Sequence, residues 1–246
     1  MKPFDEEVEE RIAANGRNAA LRQAADAFMR ESIQPKYSYN FSWLGRPIIQ
    51  YPQDMVAMQE LVWAVQPDLI VETGIAHGGS LIMYASLLEL NAACGGPPDA
   101  RVVGVDIDIR AHNRAAIEAH PMHRRITMIE GSSVDPAVVA QVGDAAAGRQ
   151  RVLVCLDSNH THDHVLAELH AYAPMTSVGS YCVVFDTVIE DLPAGMFPDR
   201  PWDPGNNPKT AVHEYLTSHP EFEADRRVEG KLMISAAHGG YLKRVR

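Results

Sequence analysis

Short apolar runs recur through the middle of the chain, and stretches with helical spacing separate them. Runs without polar alternation are typical of strands that are buried on both faces of a sheet. Strand and helix alternation at this spacing predicts a mostly parallel sheet that helices cover on both faces. The predicted strands cover residues 69–71, 102–105, 126–129, 152–156 and 181–185.

Apolar positions at helical spacing predict one or two amphipathic helices over residues 5–33, which Pro35 ends. The next stretch, residues 36–54, is rich in aromatic residues and irregular, so we expect it to pack over something. Further helices are predicted over residues 54–65 (capped by Asp54), 80–91, 110–120, 136–142, 165–172 and 210–217.

The end of the chain predicts an antiparallel strand pair with His238-Gly239-Gly240 as its turn, and residues 143–148 read as a surface loop. We therefore expect an α/β fold with an N-terminal extension. Its predicted division is residues 1–53, helices and an aromatic lid segment, and residues 54–246, the main domain.

The composition and net charge of the chain exclude several classes of protein and of binding partner. The chain has 246 residues, 46% apolar and 22% charged, which suits a globular protein and excludes disorder along its whole length. A net charge of −10 without a basic stripe argues against nucleic acid and anionic membranes as partners. Three cysteines form no disulfide framework, and the chain opens without a secretory signal or a membrane span, so we expect a cytoplasmic protein. Cys155 and Cys182 read as buried thiols.

Acidic residues lie at or beside the carboxyl ends of all five predicted strands. In an open parallel sheet, ligands bind in the crevice at these ends. A shared ligand and metal site is the hypothesis we favour, although capping of the following helices would explain one or two of the acids. The acids are Glu72, Asp106, Glu130, Asp157 and Asp186.

The first motif is VETGIAHGGS, residues 71–80. Gly74, Gly78 and Gly79 let the backbone turn tightly and approach a ligand, and Ser80 opens the next helix. The motif is not the G-x-G-x-x-G of dinucleotide-binding proteins. An acid followed by this glycine spacing suits S-adenosylmethionine, whose ammonium group the acid would orient through water.

Two further strand ends fit a nucleoside. Asp106 ends the second predicted strand, where a carboxylate can accept hydrogen bonds from both ribose hydroxyls. The sequence EGSSVD, residues 130–135, follows the third strand, and a small polar turn there can bond an adenine edge.

The fourth strand end, LDSNHTHDHVLAEL (residues 156–169), brings in histidines. Asp157 and Asp186 end adjacent strands and can supply two oxygens to Mg²⁺. His160 would lie close enough to act as the general base. Ligands spaced for zinc are missing, and we expect His162 and His164 to be structural.

Loops over the crevice should contact the substrate. The aromatic segment and the Pro/Gly-rich loop 191–208 would close over the site, and for Asn207 a helix-capping role is equally well supported. The candidate substrate contacts are Tyr39, Trp43, Trp202 and Asn207.

The combination of segments resembles the cephalosporin hydroxylase family over about residues 36–217. The segments are YSYNFSWLGRPIIQYPQD, VETGIAHGGS, DSNHTHDHVLAEL, GSYCVVFDT and PGNNPKTAVHEYL. Despite the family's name, its members resemble class I S-adenosylmethionine-dependent methyltransferases, and their relatives include rhamnosyl and other sugar O-methyltransferases.

The resemblance implies a Rossmann-like methyltransferase fold with Mg²⁺ near the acceptor hydroxyl, held by Asp157 and Asp186. Relatives often carry two adjacent acids at the fifth strand end. Here Phe185 takes the first position, which leaves water, substrate or Glu190 to complete the metal shell. The implied cofactor contacts are Glu72, Thr73, Gly74, His77, Gly78, Gly79, Ser80, Asp106, Ser132 and Asp157.

We therefore expect an S-adenosylmethionine-dependent, Mg²⁺-assisted O-methyltransferase that acts on a sugar-containing small molecule, with His160 and Asp157 as catalytic residues. An NAD(P)-dependent oxidoreductase is one alternative, and a non-catalytic methyltransferase-like partner of another enzyme is the second. The exposed aromatic residues and N-terminal helices also suggest a homo-oligomer.

Overall fold

A seven-stranded sheet forms the centre of the computed structural model, which describes residues 2–246. The strand order is β5-β4-β3-β6-β7-β9-β8, with β3 to β7 parallel and β8 and β9 antiparallel to their neighbours. This confirms the predicted fold class. The sheet strands are β3 (Leu69–Thr73), β4 (Arg101–Asp106), β5 (Ile126–Glu130), β6 (Val152–Leu156), β7 (Tyr181–Val184), β8 (Phe222–Ala224) and β9 (Tyr241–Arg244).

Helices cover both faces of the sheet because strand side chains alternate between two apolar cores. The helices are α1 (Phe4–Gly16), α2 (Ala19–Ile33), α3 (Pro52–Val65), α4 (Gly79–Ala93), α5 (Ala111–Glu118), α6 (Pro136–Ala146), α7 (His162–Tyr172), α8 (Pro208–Ser218) and α9 (Arg226–Lys231). Ile70 faces one core with α3 and α4, whereas Leu69 and Val71 face the other with α6, α7 and α8.

The N-terminal segment packs onto the sheet domain at two places. Glu9 of α1 accepts hydrogen bonds from Arg227 of α9, with an Nε–Oε1 distance of 2.9 Å. Met29 of α2 joins Tyr51, Val188 and Leu192 in a third, smaller core. The division at residue 53 stays a prediction.

The aromatic segment is more regular than its composition indicated. It contains a two-stranded hairpin, β1 (Phe41–Trp43) and β2 (Arg46–Ile48), which we call the N-terminal hairpin. Its turn has Leu44 and Gly45 at φ values of 45° and 85°. Consecutive positive φ angles are typical of a tight hairpin turn, and Gly45 was its sequence signal.

The predicted antiparallel C-terminal strand pair is present, but its first strand is β8 rather than the residues just before the His238-Gly239-Gly240 turn. β9 pairs with β8, while residues 232–240 form no strand. Asp54 explains this difference, because its buried carboxylate accepts hydrogen bonds from the Ser235 hydroxyl at 2.6 Å and the Ala236 amide at 2.8 Å. Asp54 therefore fixes the C-terminal segment instead of capping α3, which begins at Pro52.

Two boundaries also differ from the predictions. Helix α6 continues to Ala146, through part of the predicted loop 143–148, since alanine favours helix extension. Helix α7 begins at His162, so His160 precedes the helix while His162 and His164 lie on it.

Cys155 and Cys182 are buried as predicted. None of the helices within residues 2–246 is long and apolar enough to cross a membrane.

Candidate functional site

The glycine turn after β3, residues 74–79, is the first part of the site, and we call it the glycine loop. Gly74 has a φ of 92°, and a Cβ there would lie 2.1 Å from the carbonyl oxygen of Asp157. A Cβ on Gly79 would lie 2.2 Å from the Pro47 carbonyl oxygen. Only glycine permits these approaches, so the loop packs tightly between the end of β6 and the N-terminal hairpin.

Asp106 organises the glycine loop. Its Oδ2 accepts hydrogen bonds from the amides of Ile75 at 2.8 Å and Ala76 at 3.1 Å, while Oδ1 accepts one from the Asp108 amide at 3.1 Å. The carboxylate at the end of β4 thus joins the ends of two neighbouring strands. The sequence predicted a ribose contact here and did not anticipate these backbone contacts.

Glu72 lies fully buried behind the glycine loop. Its Oε2 accepts a hydrogen bond from the Ser80 hydroxyl at 2.8 Å, and within residues 2–246 its Oε1 has no hydrogen-bond partner. Burial is the main cause that raises the pKa of this carboxyl to about 8; the Ser80 hydrogen bond opposes the rise, and the charge of Asp106 adds to it. A buried acid with one free oxygen suits a cationic ligand.

Three side chains converge beside the glycine loop and form what we call the acidic triad. Asp157 follows β6, His160 lies in the next turn, and Asp186 follows β7; one ligand atom from each lies within 4.8 Å of the others. The His160 Nε2 is 3.1 Å from Asp186 Oδ2. Asp186 has a φ of 55°, a strained conformation that the surrounding structure must hold.

The acidic triad is electrostatically strained as it stands. Desolvation raises the pKa of Asp157 well above its usual range, and the charges of Asp186 and Glu72 raise it further. Two carboxylates and an imidazole nitrogen are donors that a divalent cation accepts. A bound cation would offset the repulsion, so these residues fit a metal centre.

One cavity of about 780 Å³ joins the glycine loop, the acidic triad and the N-terminal hairpin. The loop after β7 forms its far wall, where the Trp202 ring meets the His160 ring edge to face, with centroids 4.6 Å apart. The predicted site residues that line the cavity are Tyr39, Gly74, His77, Gly79, Ser80, Asp157, His160, Asp186 and Trp202.

The other predicted cofactor contacts do not line the cavity wall. Glu72 and Thr73 are buried in β3 beneath the glycine loop, and Gly78 faces Ile117 of α5. Asp106 lies against the back of the loop, and Ser132 lies in the turn after β5.

Two predicted substrate contacts lie away from the cavity. The Trp43 indole donates to Ser86 Oγ at 2.9 Å and packs against α4. Asn207 is fully buried as the N-cap of α8, where its side chain accepts hydrogen bonds from the Lys209 and Thr210 amides. The capping alternative therefore describes Asn207.

Glu190 does not complete the acidic triad. Its carboxylate accepts hydrogen bonds from the Gly205 amide at 2.8 Å and from the Asn207 side chain. These contacts hold the loop after β7 in place, while His160 lies beside Asp186. The two histidines expected to be structural make hydrogen bonds: His162 Nδ1 lies 2.8 Å from Thr210 Oγ1, and His164 Nε2 lies 3.1 Å from Ser158 Oγ.

Sequence reasoning missed Arg46 and Asn113, which bond to the glycine loop from outside. Arg46 donates to the His77 carbonyl oxygen, and Asn113 donates to that of Ala76. Neither contact had a signal in the sequence, since the partners lie 31 and 37 residues apart and meet only in the folded chain.

Comparison with known proteins identifies the family. The family model described as Rhamnosyl O-methyltransferase/CmcI matches residues 35–245. The rhamnosyl O-methyltransferase of Mycobacterium tuberculosis (strain ATCC 25618 / H37Rv) is 29% identical over 196 residues, which cover 78% of this chain and 73% of that protein.

Two solved structures of CmcI share the fold. The apo form has a TM-score of 0.58 at 20% identity and covers 85% of this chain and 77% of its own. A form described as containing Mg and SAM has a TM-score of 0.56 at 20% identity and covers 85% and 78%.

The chain belongs to the rhamnosyl O-methyltransferase/CmcI family, and the resemblance seen in the sequence is confirmed. The predicted enzyme class, an S-adenosylmethionine-dependent O-methyltransferase, is confirmed with it.

Proposed function

We propose that this chain binds S-adenosylmethionine along the glycine loop and transfers the methyl group to a hydroxyl of a sugar-containing small molecule, assisted by a divalent cation. The observation that carries the proposal is the position of the acidic triad: Asp157, His160 and Asp186 share one cavity with the glycine loop. The methyl donor and the acceptor hydroxyl can therefore meet beside the metal.

Asp157, His160 and Asp186 would hold the cation. Mg²⁺ prefers oxygen ligands, and Mn²⁺ also accepts an imidazole nitrogen, so both ions fit this donor set. A bound divalent cation lowers the pKa of a coordinated hydroxyl and so favours its deprotonation.

The protein contributes alignment and exclusion of water. Ser80 lines the cavity at the glycine loop and Glu72 lies buried behind it, so the ionised Glu72 would attract the ammonium group of the methyl donor from beneath the loop. Trp202 closes the wall beside His160. Holding donor and acceptor together in this way supplies several kcal/mol of the barrier reduction.

The relatives' names and the shape of the cavity support a sugar-containing acceptor. The matched relatives are rhamnosyl O-methyltransferases. Tyr39 and Trp202 place flat aromatic rings on the cavity wall, where the apolar face of a sugar ring can pack. The predicted homo-oligomer stays a prediction.

Titration calorimetry tests the cofactor. We expect the wild-type protein to bind S-adenosylhomocysteine and S-adenosylmethionine and to leave NAD⁺ and NADH unbound, because the glycine loop lacks the dinucleotide pattern. A methyl-transfer assay on a panel of rhamnosides and nucleotide sugars should then show turnover with Mg²⁺ or Mn²⁺ that EDTA abolishes. A folded protein that binds neither cofactor would favour the non-catalytic partner.

Replacing His160 distinguishes its two predicted roles. If His160 is the third metal ligand, we expect His160→Ala to raise the cation concentration needed for half-maximal activity by about 10- to 100-fold, with excess cation restoring most of kcat. A general base would give the opposite pattern: a low kcat at every cation concentration and a flattened acidic limb of the pH profile. His162→Ala, on the neighbouring helix, is the matched control.

A further inference from the structure

The glycine loop is held from outside by two polar side chains that line up along it. Arg46 directs Nε and Nη2 at the His77 carbonyl oxygen, at 3.1 and 2.6 Å. Asn113 donates from Nδ2 to the Ala76 carbonyl oxygen at 3.0 Å and accepts from Arg46 Nη2 at 3.1 Å. The two side chains thus form a connected clamp on consecutive carbonyl groups.

The glycine loop needs such a clamp because one of its residues is strained. Ala76 has a φ of 46°, in the left-handed region, which is unfavourable for a residue with a Cβ. Asp106 holds the amides of Ile75 and Ala76 from one side, and the clamp holds the carbonyl groups of Ala76 and His77 from the other. Backbone strain persists only where surrounding contacts over-determine it.

Arg46 also ties the glycine loop to the N-terminal hairpin, which lines the same cavity. It lies in β2 of the N-terminal hairpin, whose Pro47 carbonyl oxygen abuts Gly79. Tyr39, Pro47 and Ile48, from the hairpin and the turn before it, line the cavity. These contacts therefore join the N-terminal hairpin to the loop that would receive the cofactor.

We propose that Arg46 and Asn113 are positioning residues that hold the glycine loop in the shape that receives S-adenosylmethionine, so that the N-terminal hairpin sets cofactor affinity. This inference rests on the proposed function. Neither residue needs to touch the cofactor, because each acts through the loop carbonyl groups.

Calorimetric titration with S-adenosylhomocysteine tests the clamp. We expect Arg46→Ala to weaken binding by about tenfold or more, since hydrogen bonds from a charged donor are lost. Arg46→Lys, which keeps the charge but loses the fork, should fall between that variant and the wild type. The control is Arg101→Ala: Arg101 donates to the Arg124 carbonyl oxygen at 2.6 Å, but at the start of β4, away from the site.

A second variant separates positioning from general stability. Glycine adopts the conformation of Ala76 without the steric cost, so Ala76→Gly added to Arg46→Ala should recover part of the lost affinity. Unchanged affinity in Arg46→Ala, or an equal loss in Arg101→Ala, would overturn the proposal. Absence of binding in the wild type would contradict the proposed function itself, so the two failures are distinguishable.

Discussion

Asp157→Ala should lower methyl transfer by about 1000-fold or more while the protein keeps its affinity for S-adenosylhomocysteine. The substitution removes an oxygen ligand from the acidic triad, and loss of a cation that stabilises the reacting oxygen costs several kcal/mol. Cofactor binding should survive because the contact between residue 157 and Gly74 is made by the backbone carbonyl group.

The same substitution should stabilise the metal-free protein. Asp157 is held with a raised pKa by burial and by the charges of Asp186 and Glu72, so its removal relieves repulsion in the folded state. We expect the Tm measured in EDTA to rise by about 2 °C or more. Asp163→Asn, on the exposed first turn of α7, controls for lost negative charge.

Kinetic assays measure methyl transfer, isothermal titration calorimetry measures the affinity for S-adenosylhomocysteine, and thermal unfolding in EDTA measures the Tm. Full activity in Asp157→Ala would contradict the metal site. Loss of S-adenosylhomocysteine binding in a folded variant would instead make Asp157 a cofactor contact, which the sequence also predicted.

The fold could be predicted from local sequence patterns because each parallel strand is buried on both faces and therefore forms a short apolar run. Val152 to Leu156, for example, form an unbroken apolar run that belongs to one strand and ends at Asp157. The chain topology then brings such strand ends to one edge of the sheet, so Asp157 and Asp186 could be paired from the sequence.

Local sequence patterns do not reveal contacts between segments that are distant in the chain. Asp54 resembles a helix cap in the sequence, yet it bonds residues 181 and 182 positions away and so reshapes the C-terminal segment. Trp43 resembles a substrate contact, but the hairpin turns its indole toward Ser86. Each outcome depends on which surface the side chain meets after folding, and residue type alone does not determine that surface.

His160 is a neighbour of Asp186 that the local sequence at the end of β7 does not reveal. The sequence showed Phe185 where relatives carry an acid, and it offered water, substrate or Glu190 as the third ligand. The backbone turn after β6 places the His160 imidazole 3.1 Å from Asp186, and the metal-ligand role of His160 is part of the proposed function. Glu190 is occupied by the Gly205 amide, a contact made within the loop after β7.

Glu72 should make the stability of the ligand-free protein fall as pH rises. Its folded-state pKa of about 8 lies above the ordinary value of 4.5, so the folded state holds a proton that the unfolded state has released. Its contribution is therefore most favourable below about pH 4.5 and declines up to about pH 8. At pH 8 the cost is about 4 kcal/mol.

Glu72→Gln should remove that cost and weaken cofactor binding at once. The amide can still accept the Ser80 hydrogen bond and leaves one polar atom unpartnered, as the carboxyl does, so the free energy of unfolding at pH 8 should rise. Affinity for S-adenosylhomocysteine should increase more steeply from pH 6 to pH 9 in the wild type, as Glu72 ionises, than in the variant.

Urea unfolding and calorimetry over that pH range test both effects, with Glu6→Gln on the exposed side of α1 as the control. A variant less stable than the wild type at pH 8 would show that Glu72 is ionised and compensated in the folded protein. Equal affinity of the wild type and Glu72→Gln at pH 9 would show that the carboxylate does not attract the cofactor's ammonium group. If both expected results are observed, the buried Glu72 lowers the stability of the folded protein and also provides the carboxylate that attracts a cationic ligand.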